Sequence, residues 1–212
     1  MTTALPSLIV VVLTLVATGW WYERTRPSAR TLALVATLAA LAAIARVAFA
    51  PLPNVKPTTD IVLFAGIVLG GAPGFAVGAI TALASNLVFG QGPWTAWQML
   101  AWGACGLLGA GLGAVVRGPI NRWVLAATCA FAGLMFGVIM NVSTWLSFTG
   151  GGVDQAIVIA TTSAPFDLAH IVGNVVFALV FGPAMLGALR RTRARMEGRF
   201  VDELPVVAQP TP

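Results

Sequence analysis

Residues 89–102 read FGQGPWTAWQMLAW, and they join two strongly apolar segments. The stretch holds what apolar segments lack: Gly90, Gly92 and Pro93 to break a helix, Gln91 and Gln98 to hydrogen-bond, and the amphipathic rings of Trp94, Trp97 and Trp102. Flanked as it is, the stretch reads as a connection between two membrane spans. Irregular backbone near hydrocarbon persists only where protein buries it or where it lines a cavity, because each unsatisfied peptide group in lipid costs several kcal/mol. The stretch is therefore expected to be a lid over a binding site.

Working outward, the composition agrees with a membrane setting. Of 212 residues, 58% are hydrophobic and only 9% charged, with a mean hydropathy of +0.89, against roughly 25% charged in soluble domains. A net charge of +5 could suit nucleic acid, but the arginines lie in short clusters between or after apolar runs, which makes them orientation signals rather than a binding face. The N-terminus has no basic residue ahead of its first apolar run, so that run is expected to stay as an anchor.

A span needs about 20 helical residues. Seven apolar segments are expected as spans, at 5–22, 31–50, 58–71, 74–89, 97–116, 123–148 and 165–189, the third of them short. The run Gly70-Gly71-Ala72-Pro73-Gly74 folds the third and fourth into a tight helical hairpin. The expected fold is all-α, a polytopic helical bundle of residues 31–189 preceded by an N-terminal anchor and loop (1–30). A tail (190–212) follows, disordered past about residue 199. With the N-terminus outside and the C-terminus cytoplasmic, ten of the twelve Lys and Arg residues fall on the inner side. The exceptions are Arg46 and Lys56.

Small residues recur at four-residue spacing, in Gly66/Gly70, Gly74/Gly78, Gly109/Gly113, Gly133/Gly137, Ala36/Ala40 and Ala39/Ala43. Such pairs let helix backbones approach closely. The Ala-rich second span is smooth over much of its surface and reads as a docking face for another membrane subunit. Cys105 and Cys129 sit within spans as small packing residues.

The polar residues of the spans gather at the outer ends. The loop after the second span carries three prolines with Asn54, Lys56 and Asp60, and Ser85 and Asn86 lie just below the lid. Asn141 lies near the outer end of the sixth span, while Asp167, His170 and Asn174 share one face at the start of the last. Arg46, one turn inside the second span, either snorkels to the interface or pairs with Asp60 or Asp167. Intramembrane charge is costly and points to function, whereas a solvated helix start capped by Asp167 is the structural alternative. A P-loop motif is absent and Lys56 is the sole lysine, so the chain is not itself a P-loop ATPase. One histidine and no apposed carboxylates on a span argue against a metal site. Two other readings stay open: an intramembrane enzyme using Asp167 and His170 as an acid/base pair, and a passive channel or scaffold.

The Ala-rich helix, PLPNVKPTT, the hairpin through GGAPG, and SNLVFGQGPWTAWQM followed by a Gly-rich helix together resemble the substrate-binding S component of energy-coupling factor (ECF) vitamin transporters. The resemblance covers about residues 36–116 by motif. It implies a six-helix core, here with one extra N-terminal helix, in a bacterial plasma membrane. A B vitamin or precursor, of the cobalamin or corrinoid group, would bind at the outer face beneath loops 50–60, 90–95 and 149–155. It also implies docking through Ala36, Ala39, Ala40 and Ala43 to a transmembrane coupling subunit that works with two cytoplasmic ATPases. No cofactor or catalytic residue is implied.

Overall fold

A computed structural model describes residues 5–116, 118–149, 152–196 and 198. Arg117, residues 150 and 151 of the sixth connection, and the expected disordered tail lie outside the described residues. Those that are described form seven α-helices: α1 (Leu5–Thr25), α2 (Ala29–Ala48), α3 (Thr58–Leu69), α4 (Gly71–Phe89), α5 (Pro93–Val115), α6 (Arg122–Phe148) and α7 (Val153–Met196). Six are long and apolar enough to cross a membrane, α3 being the exception. This is the architecture of a multi-pass membrane protein.

Local chemistry sets the helix ends. Ser28 caps α2 by accepting from the Thr31 N–H, and Asn121 caps α6 by accepting from the Trp123 N–H. Between α3 and α4 a single residue, Gly70, makes the turn at φ +93°, a conformation that a side chain would strain. The expected hairpin therefore forms with no loop at all.

α3 is the hub. Its 12 residues span only about 18 Å, too short for a hydrocarbon core of about 30 Å. Every residue from Thr58 to Val68 is buried, and α2, α4, α5, α6 and α7 all pack against the helix. The glycines make this possible: a Cβ on Gly66 or Gly109 would run into the carbonyls of Gly106 or Leu63, and one on Gly78 would lie 2.5 Å from the Trp102 carbonyl carbon. Backbone thus meets backbone among α3, α4 and α5, as the small-residue spacing leads one to expect. Cys105 and Cys129 are both free thiols buried in this core.

Two expectations about helix starts are corrected. α5 begins at Pro93, so most of the supposed lid is helix. Proline suits a first turn, whose N–H would be unpaired in any case, and the Gly92 N–H donates to the Thr95 hydroxyl just ahead of it. α7 begins at Val153 and runs unbroken through Pro165 and Pro183 to Met196. Its 44 residues extend about 66 Å, twice the hydrocarbon thickness. Part of the expected tail is consequently helix, tied down where Arg190 donates to the Gly118 carbonyl and Arg193 to that of Val68.

α1 leans on the rest from outside, mainly against α5. Its buried residues are Ser7 and Thr14, and most of its other side chains are exposed.

Candidate functional site

Helices that alternate in direction bring the α2–α3, α4–α5 and α6–α7 connections to one end of the bundle. The first is built around Asn54, whose left-handed φ of 56° a short polar side chain tolerates. Its Nδ2 donates to the Phe166 carbonyl on α7 at 2.8 Å, and its Oδ1 accepts from Lys56 Nζ at 2.8 Å. The loop is thereby pinned across α7 with its lysine turned inward, where Nζ lies 5.9 Å from the Phe136 ring centroid. Burial, helped by the positive charge of Arg46, holds the Lys56 amine down to about 8.

Arg46 faces the same region from α2. Its Nη1 donates to Ser85 Oγ at 2.6 Å and to Asn86 Oδ1 at 2.7 Å, both on α4. Its guanidinium also lies over the rings of Phe89 and Trp102, at 4.6 and 4.9 Å. Asn86 passes the contact on by donating to Gln98 Oε1 at 2.7 Å and to Thr95 Oγ1 at 3.0 Å on α5. Of the two alternatives expected for Arg46, the pairing with Asp60 or Asp167 is not made. The position of Arg46 on α2 turns it toward α4, where neutral acceptors meet it.

A second chain of polar contacts lies beneath. Trp102 Nε1 donates to Thr59 Oγ1 at 3.2 Å, and Thr59 Oγ1 is 2.8 Å from His170 Nε2. The Phe136 ring packs between Trp102 and His170. Asn174 Nδ2 donates to the Cys129 carbonyl. The Cys129 thiol lies within hydrogen-bonding reach of the buried Asp60 carboxyl, whereas among the described residues the Nδ1 of His170 and the Oδ1 of Asn174 have no hydrogen-bond partner. Buried polar atoms in such a state call for water or a ligand.

The structure thus brings Arg46, Asn86, Gln98, Asn54 and Lys56 together at one end, with Asp60, His170 and Asn174 below them. Asp167 stands apart: it accepts from Ser163 Oγ at 2.8 Å and from Asn141 Nδ2 at 3.2 Å, packed against Gly137. Asp167 and His170 share no hydrogen bond, and neither opens a helix. They lie more than a dozen residues into α7, because Pro165 does not start it.

The tryptophans scatter instead of roofing one pocket. The Trp94 ring folds back over Gly92, and Trp102 is wholly buried in the core. Trp97 turns to α1 and donates to Ser7 Oγ at 3.3 Å. Gln91 is spent on its own connection, donating to the Leu83 carbonyl and accepting from Thr95 Oγ1. Of the expected lid, only Gly90, Gln91 and Gly92 lie outside the helices. Thr59 and Thr95 are network members that sequence reasoning passed over; their signal was polarity at the first turn of an apolar helix. Of the alanines, Ala36 and Ala40 are exposed, whereas Ala39 and Ala43 are buried in the core and present no outward face. Among the described residues no three His, Cys, Asp or Glu side chains are grouped to hold a metal ion.

Residues 26–195 match the model of a family described as a family of unknown function, DUF6580. The chain belongs to DUF6580. No curated protein and no solved structure matches it. The matched span takes in α2 to α6 and nearly all of α7, and so every residue of this DUF6580 site except Ser7.

Proposed function

We propose that this DUF6580 chain is the substrate-binding membrane subunit of an ECF-type importer, capturing a vitamin-class small molecule at the outer end of the bundle. The observation that carries the reading is the pair Arg46 and Lys56. Both are drawn into protein at the connections, they lie near enough to feel each other's charge, and their hydrogen-bond partners are neutral. Two cations held so are matched by an anion brought from outside, so the substrate carries a carboxylate or phosphate. Phe89, 43% exposed, offers aromatic surface beside them, in keeping with a flat or conjugated body. The resemblance of PLPNVKPTT and SNLVFGQGPWTAWQM to ECF S components supplies the rest: delivery through a coupling subunit, energised by separate ATPases, with the outward Ala36 and Ala40 as the docking face.

The test is mass spectrometry of small molecules extracted from the purified chain, followed by titration of the compound found. Arg46→Met and Lys56→Met are each expected to weaken binding at least tenfold. Full affinity in both variants would refute the site. For docking, Ala40→Trp is expected to abolish capture of the coupling subunit while ligand affinity persists.

A further inference from the structure

At the end of the bundle opposite the candidate site, α2 and α7 converge on a basic cavity of about 430 Å³ lined by Arg30, Thr192, Arg195 and Met196. A smaller one beside it takes in Ser28, Thr31 and Arg193. Arg30 also donates to the Met196 carbonyl, which holds the two helix ends together.

Above this basic end the two helices flank α3 without packing closely on each other. The cleft left between them is an apolar groove of about 460 Å³ that begins at Leu41 of α2 and at Ala184 and Met185 of α7 and runs toward the candidate-site end, past Ala45 and Phe181 to Phe49, Phe177 and Asp60. The groove and the cavity belong to one seam. On α7, positions 177, 181, 184, 188, 192 and 195 follow the helical repeat of three and four, so Phe177, Phe181 and Ala184 share a stripe with Thr192 and Arg195. On α2, positions 30, 34, 38, 41 and 45 do the same, which puts Arg30 in line with Leu41 and Ala45. Phe181 is 58% exposed and Leu41 45%, and Ala184, Ala188 and Thr192 of the α7 stripe are exposed while Leu38 of α2 is buried, so the seam is open mainly along α7. Eleven residues separate Arg30 from Leu41, about 16 Å of helix, close to the roughly 15 Å depth of one leaflet.

We infer that the α2–α7 seam is a binding site for one anionic phospholipid, with its phosphate between Arg30 and Arg195 and an acyl chain running along the seam to the near rim of the groove at Leu41 and Ala184. Guanidinium groups bind phosphate oxygens in pairs of charge-assisted hydrogen bonds. α7 is long enough to carry its arginines past the hydrocarbon to the level where phosphates lie. The docking alanines are on another side of α2, since Ala36 and Ala40 are more than a quarter turn from the stripe through Leu41 and Ala45. The seam can therefore hold its lipid while that face is occupied, and the inference stands whether or not the chain transports anything.

Native mass spectrometry of the full-length chain in neutral detergent tests this with phosphatidylglycerol, phosphatidylcholine and soluble glycerol phosphate as probes. One phosphatidylglycerol is expected to be retained about tenfold over phosphatidylcholine. The double variant Arg30→Gln/Arg195→Gln should lose that preference, Arg30→Lys/Arg195→Lys should keep most of it, and Ala184→Leu, which fills the groove, should weaken retention of both lipids. Thermal unfolding like that of the unaltered chain certifies each variant as folded. Equal retention of the two lipids, or a preference that survives the double glutamine variant, overturns the site. Displacement of the lipid by millimolar glycerol phosphate would show a soluble phosphate site instead, and full retention in Ala184→Leu would remove the groove from it.

Discussion

Replacing Gly78 by alanine is expected to pry α4 from α5. The added Cβ would lie 2.5 Å from the Trp102 carbonyl carbon and 2.6 Å from both the Trp102 oxygen and the Gly103 nitrogen. Ordinary contact begins near 3.5 Å, so the helices must part by close to 1 Å, and the atoms struck are backbone that cannot rotate away. Overpacking of this kind costs about 1–3 kcal/mol; rigid partners favour the upper end. A helical Gly→Ala exchange returns roughly 0.5–1 kcal/mol through reduced backbone entropy, leaving a net loss of about 2 kcal/mol. At about 2–4 °C per kcal/mol for a chain of this size, the midpoint should fall by about 4–8 °C. Gly111, also on α5, supplies the control, because nothing lies within 4 Å of a Cβ there. Gly111→Ala collects the entropy gain alone and should raise the midpoint slightly. Thermal unfolding of the purified chain in detergent, followed by tryptophan fluorescence, measures both. If the two variants shift the midpoint in the same direction, the close approach of α4 and α5 is wrong.

Three further outcomes are expected. Asn86→Leu removes an acceptor from Arg46 and leaves the buried Gln98 oxygen without its donor, which should cost about 3 kcal/mol and lower the unfolding midpoint accordingly. Binding of an anionic ligand should weaken as pH rises through about 8, since Lys56 is charged below that value and neutral above it; Lys56→Arg should flatten the profile. On its own the depressed amine opposes folding below about 8, and that penalty lifts as pH climbs toward the ordinary lysine value, so stability and anion affinity should move oppositely with pH. Trp97→Phe and Ser7→Ala should each loosen α1 by about 1 kcal/mol or less, measured as faster proteolysis between α1 and α2, and the double variant should be no worse than either single one.

Much of the fold could be read from the chain. Hydropathy located seven segments, and every one became a helix, because lipid leaves a backbone little other choice. The hairpin at Gly70 followed from a residue able to take φ +93° between two apolar runs. Proline misled twice. Pro93 and Pro165 looked like boundaries, yet the first sits in an opening turn and the second inside a long helix, where hydroxyls such as those of Thr161 and Thr162 bond back to carbonyls one turn earlier. The site was legible as a set of polar residues near one end, but its pairings were not. Whether Arg46 meets an acid or an amide depends on how α2 is rotated against α4, which shows only in the packing of the buried Ala39, Ala42 and Ala43 and in the Thr81 hydroxyl on the Ala39 carbonyl.

The footing of α1 bears on how this architecture varies. Its main tie is the Trp97 indole, which is 8% exposed and reaches Ser7 near the start of the helix, and the family match begins only at residue 26. Were α1 stripped away, the surface laid bare around Phe75, Trp97 and Leu107 would meet acyl chains, which are as good a solvent for it as the helix was. Trp97 itself would come to rest near a membrane–water boundary, where tryptophan is commonly found. A helix attached on these terms can be gained or shed over evolutionary time without redesign of what it leans on, so homologues lacking it should keep the remaining six helices intact.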